Sequence, residues 1–322
     1  MIKVLTEGSS AFGFGHIVRC SSIIKYCVDN KLDYRFIVDG DESSEKIIAQ
    51  SNAEMLNWKN KDFIRENIFS EDIVFTDSYH AELPLYNQIK KQANYLFIID
   101  DLKRLPYKDC TVINPNFSAS LLDVSDKENC YLYGEKFVLL RDEFVGKKNL
   151  ILNEEVKRVL VTFGGSDILN LTPKVIAYLK SLDKNIQIDV VVGFGYNSMK
   201  EIEKECDEQV KIHHNLSAKE MAELACEVDF AVSAAGQTVN ELLKVGCPAC
   251  FIEVIDNQRL NIEYVQSSAR GLVFRQDDFS SIKQMMDRGI RTELKNKISQ
   301  IKNDSPGVYQ VLKALEKDKN NG

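Results

Sequence analysis

The sequence has few of the residues that mark a disordered, fibrous or disulfide-bonded chain. Its 322 residues include 6 Pro, 16 Gly and 1 Trp, whereas 44% of the residues are hydrophobic. This composition excludes a collagen-like or low-complexity chain and is sufficient for sizeable cores. Eight scattered cysteines are too few for a disulfide scaffold at this length, so we expect reduced core thiols. The length predicts one large or two ordinary domains.

The sequence also lacks an excess of basic residues and any long apolar run. Lys and Arg number 41 against 48 Asp and Glu, which gives a net charge of −7 and argues against broad binding to nucleic acid or anionic membranes. No apolar run approaches the roughly 18–20 residues that span a bilayer. Residues 1–5 lead at once into polar residues, without the features of an export signal. We therefore expect a cytoplasmic protein with no nucleic-acid partner and no stable membrane insertion.

Short β-rich runs alternate with segments of helical period along the chain. In residues 17–28, apolar and small side chains recur on one helical face. Several of the β-rich runs are apolar throughout, as expected of strands that are covered on both faces. The alternation predicts an α/β fold with parallel sheets and right-handed crossovers. The predicted strands are Ile2–Leu5, Tyr34–Val38, Ile73–Thr76, Tyr95–Ile99, Val159–Phe163, Ile188–Val192, Phe230–Val232 and Ala249–Ile252.

The strand-helix pattern restarts after a charged stretch at residues 146–155, which places the domain boundary between about residues 143 and 156. This restart predicts two α/β domains, 1–148 and 149–322. In open α/β domains ligands bind beyond the carboxyl ends of the strands, and a two-domain chain adds a cleft. We therefore expect the catalytic and binding residues in loops that follow strands.

The first such loop is glycine-rich and leads into the first helix. It contains Gly13, Gly15, His16 and Arg19. The glycines allow close approach of a ligand, and the start of the helix presents free N–H groups and a positive dipole end. The dipole disfavours an imidazolium, so His16 is expected to be neutral and able to accept a proton, with Arg19 on the same face for an anionic group. The alternative is a glycine-rich turn whose histidine caps its own helix.

A second glycine loop opens the other half of the chain. Gly164, Gly165, Ser166 and Asp167 follow a strongly predicted strand. Successive backbone amides in such a loop form a nest for phosphate or ribose oxygens, and Ser166 adds a hydroxyl. The alternative is an ordinary strand-to-helix turn in which Asp167 is the N-cap.

A third loop, residues 233–241, also connects an apolar strand to a helix. Small residues around Gly236 admit a diphosphate to the N–H groups of Gln237 and Thr238 at the start of the helix. Glu241, about one turn later, is placed to accept hydrogen bonds from ribose hydroxyls. The alternative is a tightly packed, capped helix start.

Polar side chains follow three further predicted strands. Asn257 and Gln258 follow one in the second half, where they are able to bind sugar hydroxyls or amides, although surface turns have the same composition. In the first half, Asp77 and Tyr79 follow one strand and Asp100-Asp101 follow another. Paired carboxylates are candidates for metal binding or acid catalysis, and a capping turn is the alternative for Asp100-Asp101.

Other patterns are assigned structural roles. Cys247 and Cys250 have the spacing of a thiolate pair, but no second pair or nearby histidine completes a zinc site, so we expect them in the core. His213-His214 are expected at the end of an edge strand, and the basic residues 291–302 on the exposed face of a helix. The sequence lacks a P-loop and a dinucleotide-binding glycine triplet, and we predict no metal and no cofactor.

In their order, these motifs resemble the UDP-sugar hydrolases of pseudaminic acid biosynthesis, the PseG family, which includes related spore-coat polysaccharide proteins. The resemblance covers most of the chain. It rests on residues 13–19, 77–79, 100–101, 114–116, 140–144, 164–167, 235–236, 240–241 and 256–258.

The resemblance implies a GT-B fold, in which two Rossmann-like domains face an interdomain cleft and the second domain binds most of the nucleotide. It also implies metal-independent hydrolysis of UDP-2,4-diacetamido-2,4,6-trideoxy-β-L-altrose to UDP and the free sugar, with inversion at C1. His16 matches the catalytic general base of the family, and Tyr79 matches a tyrosine near the sugar. The expected substrate-binding residues are Gly13, Gly15, Arg19, Asp77, Gly164, Gly165, Ser166, Asp167, Gly236, Gln237, Thr238, Glu241, Asn257 and Gln258.

Two departures from the family concern positions where substrate is touched. Leu5–Gly8 stand where the family has Arg and Asp, and Gln237 stands where Ser is common. The UDP-sugar class is therefore better indicated than the individual sugar. The alternatives are a GT-B UDP-sugar glycosyltransferase, a UDP-sugar 2-epimerase, and a non-catalytic nucleotide-sugar-binding protein of polysaccharide assembly. The sequence does not indicate the oligomeric state.

Overall fold

The computed structural model describes residues 1–9, 13–48, 51–125, 128–193, 195–196, 198–302 and 305–320, with side chains of the last helix up to residue 313. The chain forms two compact units. Unit 1 consists of Met1–Asp142 and the C-terminal segment from Ser305, and unit 2 of Glu143–Asp304. The predicted domains, 1–148 and 149–322, differ from these units mainly in the placement of the C-terminal segment.

Unit 1 contains a seven-stranded sheet in which every paired strand runs parallel to its neighbours. The strand order is β3-β2-β1-β4-β5-β6-β7, so β1 and β4 lie side by side near the centre. The strands are β1 (Ile2–Gly8), β2 (Tyr34–Gly40), β3 (Ala53–Met55), β4 (Ile73–Asp77), β5 (Tyr95–Ile99), β6 (Thr111–Ile113) and β7 (Cys130–Leu132). The helices are α1 (Gly15–Asp29), α2 (Glu42–Ile48), α3 (Lys61–Asn67), α4 (Leu83–Gln92) and α12 (Gly307–Asn320).

Successive residues of the central strands supply the two cores of unit 1. Val4 packs in one hydrophobic cluster with residues of α1 and α12, whereas Leu5 packs in the other with residues of α3 and α4. Side chains of a strand point alternately to opposite faces, so both faces of the sheet are covered by helices. This is why the strands are apolar throughout rather than alternating.

The C-terminal helix belongs to the core of unit 1. Val308 and Val311 of α12 are fully buried in the cluster that contains α1. Gly307 begins the helix, and a Cβ there would lie 2.0 Å from the carbonyl oxygen of Val138, so the backbones meet closely at this point. The prediction that this segment continues the second domain was wrong, because the sequence around it marks a helix but not the core that the helix covers.

Unit 2 contains a six-stranded parallel sheet of order β10-β9-β8-β11-β12-β13. Its strands are β8 (Arg158–Thr162), β9 (Gln187–Val192), β10 (Val210–His214), β11 (Phe230–Ala234), β12 (Ala249–Ile252) and β13 (Leu272–Val273). The helices are α5 (Thr172–Leu182), α6 (Met199–Glu205), α7 (Ala218–Glu227), α8 (Thr238–Val245), α9 (Arg259–Ser268), α10 (Ser280–Gln284) and α11 (Arg288–Ile298). In the part of the chain that the structure describes, no helix is long and apolar enough to cross a membrane.

The expected structural roles in unit 2 are confirmed with one exception. Cys247 and Cys250 are fully buried, and His213 lies on the edge strand β10. Arg291, however, is fully buried rather than exposed, and it donates hydrogen bonds to the carbonyl oxygens of Met285 (2.7 Å) and Asn153 (2.6 Å). The basic composition of residues 291–302 concealed this role, because an arginine that binds buried carbonyl groups looks the same in sequence as an exposed one.

Candidate active site

The first group of candidate residues lies at one edge of the unit 1 sheet. The parallel strands β1, β4 and β5 are neighbours, so their carboxyl ends meet at this edge. Loops after these three strands carry His16, Tyr79 and Asp101, and Asp77 ends β4. The structure therefore brings together residues that are up to 85 positions apart in the chain.

His16 is bound by the carboxylate that ends β4. It lies in the first turn of α1 and is 6% exposed, and its Nδ1 is 2.6 Å from Asp77 Oδ1. An ionised carboxylate only accepts hydrogen bonds, so Nδ1 carries the proton and donates it to Asp77. In the neutral ring Nε2 is then the basic nitrogen. Within the described residues Nε2 has no hydrogen-bond partner. The geometry prepares His16 to accept a proton.

Arg19, one helical turn after His16, binds two buried carboxylates. Its Nε and one Nη each lie 2.6 Å from an oxygen of Asp77, and the other Nη lies 2.6 Å from Asp101 Oδ2. Burial opposes the charged forms of all three groups, but their mutual attraction outweighs it. The pKa of Asp77 is therefore well below its ordinary value, that of Asp101 is also lowered, and the pKa of Arg19 is raised.

This pairing changes the expected role of Arg19. All three guanidinium nitrogens donate to carboxylates within unit 1, and the side chain is 5% exposed. A substrate anion would compete with two carboxylates for the same donors. Arg19 therefore orients Asp77 and Asp101, and direct binding of a substrate anion by Arg19 remains a prediction without structural support.

Tyr79 contacts both His16 and Asp101 in the same site. Its hydroxyl donates to Asp101 Oδ1 at 2.9 Å, and its ring meets that of His16 edge-on with centroids 4.3 Å apart. Burial and then the negative charge of Asp101 raise the pKa of Tyr79 well above its ordinary value. The phenol is therefore neutral, its proton is donated to Asp101, and the ring restricts the orientation of His16.

The predicted glycines Gly13 and Gly15 lie directly before His16. Gly13 has a φ of +90°, which an L side chain rarely adopts, and its backbone pairs with that of Ser9. A Cβ on either glycine would meet no atom of the described residues within 4 Å. Ligand binding beside Gly13 and Gly15 remains a prediction.

The glycine loop of unit 2 contains one structural residue among the predicted binding residues. Gly164 has a φ of +77°, and the carbonyl of Gly165 accepts a hydrogen bond from Gly195 N at 2.9 Å. Asp167 is buried and accepts hydrogen bonds from the amides of Leu171 and Thr172 at the start of α5. Asp167 therefore caps the start of α5 through its side chain, as the alternative interpretation expects, although the N-cap position itself is Leu171 and not Asp167.

The remaining residues of this loop stay available for a ligand. Ser166 is half-buried, and within the described residues its hydroxyl has no hydrogen-bond partner. Gly164 is exposed and Gly165 half-exposed. Ligand binding by these three residues remains a prediction.

The start of α8 leaves backbone amides open in the way that anion binding requires. Gln237 is the N-cap, but no side chain caps the helix. Within the described residues the amides of Gly236 and Thr238 donate to no backbone carbonyl, and both residues are half-exposed. Unpaired amides at a helix start, together with the helix dipole, favour an anionic ligand.

The other predicted residues of unit 2 lie in the loop after β12 or in the first turn of α8. Gln258 is buried, its Oε1 accepts a hydrogen bond from Val254 N, and its Nε2 lies 3.5 Å from the point that a Cβ on Gly236 would occupy. Asn257 is half-buried in the same loop after β12. Glu241 is 3% exposed in the first turn of α8, and ribose binding by its carboxylate remains a prediction.

Two residues that were not among the predicted site residues are central to the geometry of unit 1. Asp101 binds both Arg19 and Tyr79, whereas Asp100 caps its own turn by accepting hydrogen bonds from the amides of Leu102 and Arg104. The capping interpretation thus holds for Asp100, whereas metal binding or acid catalysis by Asp101 remains a prediction. Glu7 is the other: it is a charged residue that is fully buried near the carboxyl end of β1, and its burial is not visible in the sequence.

The fold and part of the sequence match known proteins. Residues 158–315 match the family model described as the glycosyltransferase family 28 C-terminal domain. The structure is similar to MurG of Acinetobacter baumannii, with a TM-score of 0.65 and 14% identity over 98% of this chain and 99% of that chain. It is also similar to the Streptomyces glycosyltransferase SsfS6, solved with thymidine diphosphate, with a TM-score of 0.61 and 12% identity over 98% of this chain and all of that chain. The chain has the two-domain GT-B fold.

Curated relatives extend the comparison. An uncharacterized protein of Methanocaldococcus jannaschii is 30% identical over 80% of this chain and 56% of its own length. The Helicobacter pylori protein named pseudaminic acid cytidylyltransferase and UDP-2,4-diacetamido-2,4,6-trideoxy-beta-L-altropyranose hydrolase is 22% identical over 87% of this chain and 49% of its own length. The spore coat polysaccharide biosynthesis protein SpsG of Bacillus subtilis is 22% identical over 80% of this chain and 78% of its own length. The chain thus spans about half the length of the first two.

Proposed function

We propose that this chain is a nucleotide-sugar hydrolase of surface polysaccharide biosynthesis. It releases UDP and a free 2,4-diacetamido-trideoxy hexose, as in pseudaminic acid biosynthesis, by inverting attack of water at C1. The observation that carries the proposal is the buried Asp77–His16 pair, in which Nδ1 donates its proton to Asp77 and Nε2 is left as the base. The names of the Helicobacter and Bacillus relatives and the glycosyltransferase family 28 match support the substrate class.

The proposed reaction needs a base for water and an acceptor for the charge of the leaving group. His16 Nε2 removes a proton from water as the new bond from oxygen to C1 forms, an effect worth roughly 10²–10⁴-fold. The bond between C1 and the diphosphate oxygen breaks with both electrons remaining on UDP. Backbone amides at Gly236 and Thr238 stabilise that charge at the start of α8. Asp77 stabilises the imidazolium that forms and holds its ring.

Tyr79 has a supporting role in this proposal. Its hydroxyl proton is donated to Asp101 and its pKa is raised, so it neither donates a proton to the leaving group nor removes one from water. Its oxygen remains able to accept a hydrogen bond from a sugar N–H or O–H group. Tyr79 thus positions His16 and the sugar.

A glycosyltransferase is the second candidate, favoured by the family 28 match and the transferases of similar fold. It would use the same UDP-binding groups but pass the sugar to an acceptor hydroxyl, which His16 would deprotonate. The same residues would serve either reaction, because water and an acceptor hydroxyl both have to lose a proton to the base.

One experiment separates these reactions. Purified protein is incubated with UDP-sugars in ¹⁸O-water without an acceptor, and UDP release, the position of the label and the anomeric configuration of the sugar are followed. We expect UDP release with the label in an inverted sugar. Label in the phosphate would show attack at phosphorus instead, and UDP release only after an acceptor is added would show a transferase.

A further inference from the structure

Strands β1 and β4 each end in a carboxylate that binds a histidine following the other strand. Asp77 at the end of β4 binds His16, which follows β1, at 2.6 Å. Glu7 near the end of β1 binds Nδ1 of His80, which follows β4, at 2.8 Å. The two carboxylates thus tie the loops after neighbouring strands to each other, and only the first pair is used by the proposed mechanism.

Glu7 has hydrogen bonds on both carboxylate oxygens and is fully buried. Oε1 accepts from the Tyr79 amide at 2.7 Å and faces His80, while Oε2 binds Lys59 Nζ at 2.5 Å and Ser78 Oγ at 2.7 Å. Burial alone would raise the pKa of Glu7, but these donors, Lys59 first, lower it from 4.5 to about 2. Glu7 is therefore an ionised acceptor for three consecutive residues of one loop.

That loop carries the ring that contacts the proposed base. Glu7 binds the backbone amide of Tyr79, whose side chain packs edge-on against His16 and donates to Asp101. The backbone end and the hydroxyl end of Tyr79 are thus bound by two different carboxylates. Release of the backbone end would let the ring shift against His16.

We propose that Glu7 is a positioning residue of the site: its carboxylate fixes the loop of residues 78–80 and thereby the Tyr79 ring that orients His16. This inference rests on the proposed function of His16 as a base. Glu7 itself touches no reacting atom in the proposal. It acts through Tyr79. Lys59, which pairs with Glu7, also lies 3.2 Å from Asp39 Oδ2 and so keeps a carboxylate partner when Glu7 is replaced.

Glu7→Gln is the test, and Asp72→Asn is its matched control. Gln keeps the size of Glu7 but replaces one acceptor oxygen with an amino group, which faces donors. Asp72 is also a buried carboxylate of this sheet, bound to Lys3 Nζ at 2.5 Å and to the Phe69 amide at 2.8 Å. It lies just before β4, at the opposite end of the strand from Tyr79. Both variants remove a buried charge that is paired with a lysine, but only one borders the loop of residues 78–80.

We expect Glu7→Gln to lower kcat for UDP release at least tenfold while the Kd of UDP stays within twofold. Both variants should reduce the melting temperature by similar amounts. Asp72→Asn, however, should keep kcat within about twofold of the wild type. Equal losses of kcat in the two variants, or a Glu7→Gln variant whose kcat stays within twofold of the wild type, would overturn the proposal. If Glu7→Gln does not fold, Glu7→Asp, which keeps the charge near Lys59 but shortens the side chain, replaces it with the same expectation.

A second readout does not depend on the reaction. In protein with ¹⁵N-labelled histidine, the four His residues are assigned, and the ring signals of His16 and its contacts with the Tyr79 ring are recorded. Glu7→Gln should shift the His16 signals and weaken these contacts, while Asp72→Asn leaves both unchanged. If the wild type releases no UDP, the proposed function fails, yet this measurement still decides the role of Glu7; unchanged His16 signals in Glu7→Gln refute it.

Discussion

The candidate sites of the two units follow strands of parallel sheets but differ in the groups they provide. In unit 1, charged side chains are buried and paired, with Arg19 between Asp77 and Asp101. In unit 2, the open groups are backbone amides of Gly236 and Thr238 and neutral side chains. Buried charge pairs hold a base in a fixed orientation, but the loss of one partner destabilises the protein. Amides at a helix start bind an anion without any ionisable group. The comparison predicts that substitutions in unit 1 change turnover and those in unit 2 change affinity.

The largest expected effect is that of His16→Ala. Loss of the proposed base should lower turnover of UDP-sugar by about 100-fold or more, while the Kd of UDP should be unchanged because we propose that the nucleotide is bound by unit 2. UDP release and calorimetric UDP binding measure the two quantities. His213→Ala is the control, since His213 also binds a buried carboxylate, Asp189, at 2.6 Å but lies on the edge strand β10. Turnover of His16→Ala equal to that of the His213 variant would contradict the assignment of the base.

Gly236→Ala should lower the affinity for UDP rather than the turnover. Among the described residues, a Cβ here meets only Gln258 Nε2, at 3.5 Å, which is ordinary contact, so the fold should be retained. The methyl group occupies space before the amides of α8, and we expect the affinity for UDP to fall about tenfold, or about 1.4 kcal/mol. Titration with UDP measures the affinity, and thermal unfolding checks the fold. Unchanged affinity in a folded variant would remove α8 from the UDP site.

Acid should weaken unit 1 through its buried carboxylates. The pKa of Glu7 in the folded protein, about 2, is below its ordinary value of 4.5, because its hydrogen bonds outweigh burial. Between these values the unfolded chain binds more protons than the folded one, so the contribution of Glu7 to stability falls as the pH decreases from about 4.5 to 2. Trp58, the single tryptophan, is fully buried in unit 1 and reports its unfolding by fluorescence. Glu7→Gln should show a smaller decrease over this range; an identical pH profile would contradict the assignment.

Tyr79→Phe should have the smallest effect. The variant keeps the ring against His16 and loses one hydrogen bond to Asp101, which costs about 1 kcal/mol of stability. We expect kcat to fall less than tenfold. Tyr95→Phe is the control, since it removes a phenol hydrogen bond to Thr111 Oγ1 elsewhere on the same sheet. If turnover fell by about 100-fold in Tyr79→Phe alone, the size of a general acid–base effect, Tyr79 would have to transfer a proton.

The sequence predicts the elements that contain a long run of apolar residues. All eight predicted strands are present, because central strands covered on both faces are necessarily apolar. Of the five further strands in the described residues, β10 was expected only from the His213-His214 pair at its end. The other four, β3, β6, β7 and β13, were not predicted because they have two or three residues each, too few to show a pattern. The glycine loops were located correctly because each follows a predicted strand and precedes a predicted helix.

Which side chains form the site was decided by the tertiary structure. The sequence alone placed His16, Arg19, Asp77 and Tyr79 among the candidates, and it determined that their loops follow parallel strands. Only the adjacency of β1 and β4 brings Asp77 to His16 and Glu7 to His80, across 61 and 73 positions of the chain. The physical reason is that a strand pattern records burial, whereas the pairing of charges depends on which strands are neighbours and on the few ångströms between their ends.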